Sequence, residues 1–132
     1  MLSAAGLDVE VHTSEAVGGM PDVVEDQDTF SGNALKKARA LAALLPEDGL
    51  ALADDSGICI EAFGGAPGVY SARYAGEDAT DEENLDKLIR EMEKVPDGSR
   101  GGSFACHLAV VAPHGEERVF VGEIHGEILR ER

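Results

Sequence analysis

Two adjacent carboxylates and a hydroxyl, Asp54, Asp55 and Ser56, are the side chains of this sequence best suited to chemistry. They follow a short apolar run, residues 50–53, that is typical of a buried strand. Adjacent carboxylates repel each other, so the pair costs stability unless a cation or hydrogen bonds compensate. Two such groups suit a hard divalent cation such as Mg²⁺, and one of them is able to accept a proton from water. The alternative is a solvated turn, because Asp, Ser and Gly are all common in turns.

A glycine-rich segment and a nearby arginine are the second candidate. Residues 64–68 read GGAPG, which suits neither a helix nor a central strand and predicts a loop. The segment matches neither the P-loop nor the dinucleotide-binding pattern, so a structural turn is the favoured interpretation. Arg73 lies between Tyr70 and Tyr74, and its guanidinium suits a phosphate. An ordinary ion pair is the alternative for Arg73.

Helices and strands must position these residues, and the sequence predicts an α/β fold in a single domain spanning residues 1–132. Apolar residues at helical spacing and capping signals mark the helices, whereas short apolar or alternating runs mark the strands. In the first half of the chain the predicted elements are the last turn of a helix at residues 1–6, a half-buried strand at 7–11, a loop at 14–28, a helix with Thr29 or Ser31 as its cap and an apolar face within residues 34–45, and a strand at 50–53 that ends at the Asp pair. In the second half they are extended chain at 58–60, a helix after the capping box at Thr80, a central strand at 104–112, a turn at 113–116 and a returning strand from 119.

The remaining ionisable and sulfur-containing residues give weaker signals. Three basic residues of the first helix, Lys36, Lys37 and Arg39, are predicted to form its solvated face. The four histidines are scattered without zinc-binding spacing, which argues against a zinc site. Cys59 and Cys106 form no CxxC pair, so we expect buried free thiols in a reducing compartment.

The charge balance limits the classes of partner. The chain has 132 residues, with 11 basic and 26 acidic side chains, and its formal net charge is −15. Such a chain repels nucleic acid and anionic membrane surfaces. A small anionic ligand remains compatible if a divalent cation, a helix N-terminus or converging Arg and Lys residues compensate locally.

Several blocks of the sequence together resemble the Ham1 family of inosine triphosphate pyrophosphatases. The blocks are residues 29–34 (TFSGNA), 52–57 (LADDSG), 64–74 (GGAPGVYSARY) and 79–84 (ATDEEN). Each motif alone is unspecific, but their order and spacing are similar to those of bacterial members over essentially the whole chain.

The resemblance implies a fold, an activity and a set of site residues. Members of this family are homodimeric cytoplasmic enzymes with a mixed elongated sheet and flanking helices. They cleave ITP, dITP and XTP to the monophosphate and pyrophosphate with Mg²⁺. By this resemblance Asp55 is the catalytic base and a metal contact, Asp54 supports the metal, and Ser56 contacts the substrate. We also expect Arg73 to bind substrate phosphate. Phosphoryl chemistry depends mainly on positioning and charge neutralisation, which agrees with these roles.

The sequence departs from the family pattern in three places. Gly32 stands where the family has Glu, which puts one metal ligand in doubt, and Glu25 is a candidate substitute. The family's N-terminal phosphate loop and its C-terminal base-binding segment have no counterpart, so we expect a chain truncated at both ends. Two alternatives therefore stay open at this stage: a catalytically silent fragment that keeps a dimerisation and metal-binding core, and a related nucleotide pyrophosphatase with a different base preference.

Overall fold

The computed structural model describes Gly6 and residues 8–132. These residues form a three-stranded antiparallel sheet, with one helix packed on the sheet and a second helix near one end of it. The strands are β1 (Ala51–Ile60), β2 (Gly101–Val111) and β3 (Glu117–Glu127), in the order β1-β2-β3. The helices are α1 (Phe30–Ala42) and α2 (Asp81–Met92). The predicted α/β class is confirmed, and within the described residues both strand pairs are antiparallel. The predicted central strand and hairpin are confirmed as β2 and β3.

Helix α1 begins at the cap predicted from sequence and packs on the sheet through small side chains. The Thr29 hydroxyl accepts a hydrogen bond from the Gly32 backbone N–H at 3.0 Å, which satisfies one of the free donors of the first turn. Alanines on one face let the helix backbone approach β1 and β2 closely. This first core cluster consists of Ala34, Ala38, Leu41, Ala42, Ala51, Ala109 and Val111.

Strand β1 corrects the prediction that a strand stops at the Asp pair. The strand continues from Ala51 to Ile60 without interruption, and each of its residues pairs with one of β2. Asp, Ser and Gly favour turns in isolation, but the long β2 strand offers a complete ladder of hydrogen-bond partners. Consequently Asp54 and Asp55 lie in mid-strand, where successive side chains point to opposite faces of the sheet.

Helix α2 begins with the predicted capping box and packs into a second core cluster. The Thr80 hydroxyl accepts from the Glu83 N–H, and the Glu83 carboxylate accepts from the Thr80 N–H. The second cluster consists of Ile60, Leu88, Met92 and Val95. Arg100 lies beside this cluster and is 5% exposed. Its guanidinium donates hydrogen bonds to the carbonyl oxygens of Met92, Val95, Ile128 and Leu129.

The predicted N-terminal strand is wrong over its described part. Residues 8–13 have no regular secondary structure and are exposed. An alternating pattern forms a strand only where a neighbouring strand accepts its backbone hydrogen bonds, and residues 8–13 pair with no strand of the described sheet. Leu7 and residues 1–5 of the helical turn predicted at residues 1–6 lie outside the described residues.

Candidate active site

Asp55 lies on the face of the sheet that α1 covers, and a buried amide holds it there. The side chain of Asn33, which is 1% exposed, donates from Nδ2 to Asp55 Oδ2 at 3.3 Å. The same amide accepts from the Gln27 N–H at 3.0 Å and donates to the Gln27 carbonyl at 3.3 Å. Asn33 therefore joins three segments, namely the loop before α1, the helix itself and β1.

The Lys37 ammonium group lies close to the same carboxylate. The prediction that Lys37 belongs to a solvated helix face is therefore wrong. Its Nζ lies 2.8 Å from Glu25 Oε1 and 3.8 Å from Asp55 Oδ1. The Lys37 side chain is 22% exposed and that of Asp55 only 13%. Because Asn33 and Lys37 are four residues apart on α1, both side chains reach the same point of β1. The ammonium group is thus placed between two carboxylates, Glu25 and Asp55.

Burial perturbs the acidity of Asp55. Loss of hydration raises the pKa of the Asp55 carboxyl above its ordinary value. The Asn33 hydrogen bond and the charge of Lys37 oppose this by lowering the pKa, whereas the charges of Glu25 and Asp54 raise it. A carboxylate with a raised pKa is a stronger base than an exposed one, as proton abstraction from water requires.

Arg73 reaches the same cluster through the Glu25 backbone. Its Nη2 donates to the Glu25 carbonyl at 3.1 Å, and its guanidinium lies 5.1 Å from the centre of the Tyr70 ring. Its Nε also lies 4.0 Å from Glu77 Oε1, so the ion pair considered as an alternative is present at long range. Glu25 therefore connects two cations, since its carboxylate contacts Lys37 and its carbonyl contacts Arg73.

The turn that carries Arg73 is fixed to β1 by Ser71 and needs a glycine in the strand. The Ser71 hydroxyl accepts from the Ile58 N–H at 2.9 Å and donates to the Gly68 carbonyl at 2.6 Å. A Cβ at Gly57 would lie 2.4 Å from the Gly68 carbonyl oxygen and 2.5 Å from Ser71 Oγ. Only glycine permits this approach, so Gly57 is required for the docking of residues 68–73.

Asp54 and Ser56 lie on the opposite face of the sheet from Asp55. The Ser56 hydroxyl donates to Asp54 Oδ2 at 3.3 Å, and Asp54 is exposed. The structure therefore brings together Asp55, Lys37, Glu25 and Arg73, and it does not bring Asp54 or Ser56 to that cluster. The roles of Asp54 in metal binding and of Ser56 in substrate binding stay predictions.

Gly32 lies in the first turn of α1, where neighbouring side chains fill the space. A Cβ at this position would lie 2.9 Å from the Gln27 Cβ and 3.0 Å from the Thr29 Oγ1. Gln27 thus occupies the place from which a longer side chain at position 32 would extend. Within the described residues, Glu25 is the carboxylate that Lys37 places beside Asp55.

His107 is the neighbour of Asp55 on β2 and was not singled out from the sequence. The two residues are directly opposite in the β1–β2 register, so their side chains share one face. His107 Nδ1 lies 2.7 Å from Ser31 Oγ, and its ring centre lies 5.2 Å from that of Phe30. The first turn of α1 is therefore attached to the sheet beside Asp55.

The described residues offer carboxylate oxygens that suit a magnesium ion, but they do not form a complete set of protein ligands. Among the described residues, no group of three or more His, Cys, Asp or Glu side chains is arranged to hold a metal. Magnesium usually keeps several waters and takes one or two protein carboxylates together with substrate phosphates. Glu25 and Asp55 fit that requirement, because they already flank one cation, the Lys37 ammonium.

Comparison with known proteins identifies the family. The Ham1 family model matches residues 1–132. The chain belongs to the Ham1 family. A dITP/XTP pyrophosphatase from Opitutus terrae is 50% identical over 123 residues, which cover 93% of this chain and 61% of that protein. One from Geobacter sulfurreducens is 48% identical over 126 residues, covering 94% of this chain and 61% of the relative.

Solved Ham1 structures agree with the fold. A HAM1 protein from Coxiella burnetii superposes with a TM-score of 0.83 at 37% identity, covering 96% of this chain and 64% of that one. A nucleoside-triphosphatase / dITP/XTP pyrophosphatase from Mycobacterium abscessus gives a TM-score of 0.82 at 34% identity, with 98% and 66% covered. The chain spans 61% of the length of the relatives from Opitutus terrae and Geobacter sulfurreducens. No helix in the described part of the Ham1 chain is long and apolar enough to cross a membrane.

Proposed function

We propose that this Ham1 protein hydrolyses non-standard purine nucleoside triphosphates, namely ITP, dITP and XTP, to the monophosphate and pyrophosphate. The observation that carries the proposal is the half-buried Asp55 carboxylate, which Asn33 orients and Lys37 flanks. The similarity to the dITP/XTP pyrophosphatases of Opitutus terrae and Geobacter sulfurreducens supports the substrate class. In the reaction the phosphoanhydride bond between the α- and β-phosphates breaks, and pyrophosphate leaves.

Each residue of the cluster has a role that its position supports. Asp55 accepts the proton of the attacking water, and Asn33 keeps the carboxylate directed. Lys37 and Arg73 provide the positive charge that a triphosphate needs in a chain with a net charge of −15. Asp55 and Glu25 would hold a magnesium ion, which would supply further neutralisation of phosphate charge.

A pyrophosphate-release assay tests the proposal. With ITP and Mg²⁺ we expect release from the wild-type protein and a loss of roughly 100-fold or more in Asp55→Asn, because a general base typically contributes that much. The matched control is Asp48→Asn, which changes an exposed carboxylate outside the cluster. Chelation of Mg²⁺ should stop the release, and added Mg²⁺ should restore it.

Two further comparisons sharpen the assignment. Lys37→Met should raise the KM for ITP, whereas Lys36→Met, which removes only the ion pair to exposed Asp26, should leave it unchanged. Rates on ITP, XTP, GTP and dTTP decide the base preference. A preference for dTTP would contradict the purine assignment, and absence of release from the wild-type protein would contradict the activity.

We further propose a cytoplasmic homodimer as the working form. Large apolar side chains on the sheet face away from α1 support self-association, because Leu52, Phe104, Phe120 and Ile124 are each more than half exposed. Light scattering coupled to size-exclusion chromatography gives the mass directly. A monomer at micromolar concentration would contradict the dimer.

A further inference from the structure

Small side chains form much of the contact between α1 and the sheet. Five of the seven buried residues of the first cluster are alanines, and the other two are Leu41 and Val111. Apolar attraction is non-directional and depends on buried area. Directional contacts therefore add precision to the position of the helix relative to Asp55.

Two such contacts occur near the start of α1. Ser31 Oγ and His107 Nδ1 are 2.7 Å apart, and Asn33 Nδ2 donates to Asp55 at 3.3 Å. Asp55 and His107 are paired across β1 and β2. Directly opposite side chains have Cβ atoms about 5 Å apart, so both polar contacts attach one helical turn to one point of the sheet.

We propose that His107 is a positioning residue for the proposed hydrolysis. By holding Ser31, it fixes the first turn of α1 so that Asn33 and Lys37 reach Asp55. The proposal rests on the proposed function, but the contact that it concerns exists without substrate. His107 acts through α1 and is not required to contact the nucleotide.

The surroundings of the imidazole agree with this role. The Phe30 ring lies against it at 5.2 Å with a tilt of 34°, which restricts rotation of the half-buried ring. Asn33 and Lys37 are one turn apart on α1, so a displacement of the first turn moves both groups away from Asp55. Misplacement of catalytic groups by about 1 Å costs as much as 100-fold in rate.

Substitutions of His107 separate positioning from simple packing. His107→Asn keeps a polar atom close to the Nδ1 position and, through its amide, either donates to or accepts from Ser31. His107→Gln places its amide near the Nε2 position instead, and His107→Ala removes both. Ser31→Ala breaks the same contact from the helix side without a cavity in the sheet. Thermal melts establish that each variant is folded before comparison.

The first measurement is the NMR signal of the Asn33 side-chain amide in the nucleotide-free protein. We expect His107→Ala and Ser31→Ala to shift this signal and to speed its exchange with water, and His107→Asn to restore it. An unchanged Asn33 amide in both alanine variants would overturn the proposal. Equal restoration by His107→Gln would also overturn it, because the contact at Nδ1 would then not be the cause.

Steady-state kinetics with ITP are the second measurement. We expect kcat to fall about 10-fold in His107→Ala, because Asn33 no longer directs Asp55, and we expect KM to rise, because Lys37 moves with α1. Both constants should recover in His107→Asn. An unchanged kcat in His107→Ala would overturn the positioning role. A wild-type protein without activity would instead refute the proposed function, and the amide measurement would still decide whether His107 positions α1.

Discussion

The two core clusters in the described part of the chain differ in composition and in role. The cluster under α1 is built mainly from alanines, and the polar groups Asp55, Asn33, Lys37 and His107 lie on the elements that form it. The cluster beside α2 is built from Ile60, Leu88, Met92 and Val95 and contains one buried cation, Arg100. Small side chains bring backbones close and leave precise placement to hydrogen bonds, whereas large side chains stabilise through buried area. We infer that the first region positions a site and the second stabilises the fold.

The largest expected effect on stability belongs to Arg100. Its guanidinium donates four hydrogen bonds to carbonyl oxygens around the end of α2 and the segment after β3. Arg100→Met leaves those acceptors unsatisfied, so the free energy of unfolding should fall by about 3 kcal/mol in urea denaturation. The control Arg118→Met removes an exposed ion pair to Glu116 and should cost under about 1 kcal/mol. Equal losses in both variants would show that the second cluster does not depend on its buried cation.

An intermediate effect is expected from enlarging the alanine interface. Ala38 is fully buried between α1 and the sheet. Ala38→Leu overpacks this contact and should cost roughly 2 kcal/mol in unfolding free energy while lowering pyrophosphate release, since α1 is pushed away from Asp55. Leu88→Met in the other cluster conserves volume and should cost under about 1.5 kcal/mol with activity retained. Full activity in a folded Ala38→Leu protein would contradict the positioning role of the first cluster.

The smallest expected effect is the pH dependence that Asp55 confers on stability. Burial raises its pKa in the folded protein, so the folded state binds the proton more tightly than the unfolded state. Stability from this group is complete below the unfolded pKa and is lost as the pH rises through the folded pKa. Asp55→Asn should therefore be somewhat more stable than wild type at pH 7, and this difference should disappear below the unfolded Asp pKa of about 3.9. Chemical denaturation at pH 7 and below about pH 3.9 measures the free energy of unfolding of both proteins. An Asp55→Asn variant less stable than wild type at pH 7 would contradict the prediction.

Local signals in the sequence were sufficient for much of the fold. Thr29 and Thr80 mark both helix starts because capping depends on residues within one turn. The hairpin of β2 and β3 follows from a turn between two apolar runs. The strand predicted at residues 7–11 is wrong for the described residues 8–11, because strand formation also requires a partner at a distance. Asn33 was missed as a site residue, although its spacing to Lys37 and Leu41 on one helical face was a usable signal.

The sequence by itself determined that Asp55 is a candidate base, because the order and spacing of the motif blocks are properties of the chain alone. Only the tertiary structure decided its surroundings. The pairing of β1 with β2 separates Asp54 from Asp55 and places His107 opposite Asp55. The sequence predicted a solvated Lys37. Because α1 packs on the sheet, Lys37 instead lies between the carboxylates of Glu25 and Asp55. The physical reason is that these contacts join residues far apart in sequence, and their geometry depends on strand register and helix docking rather than on local preference.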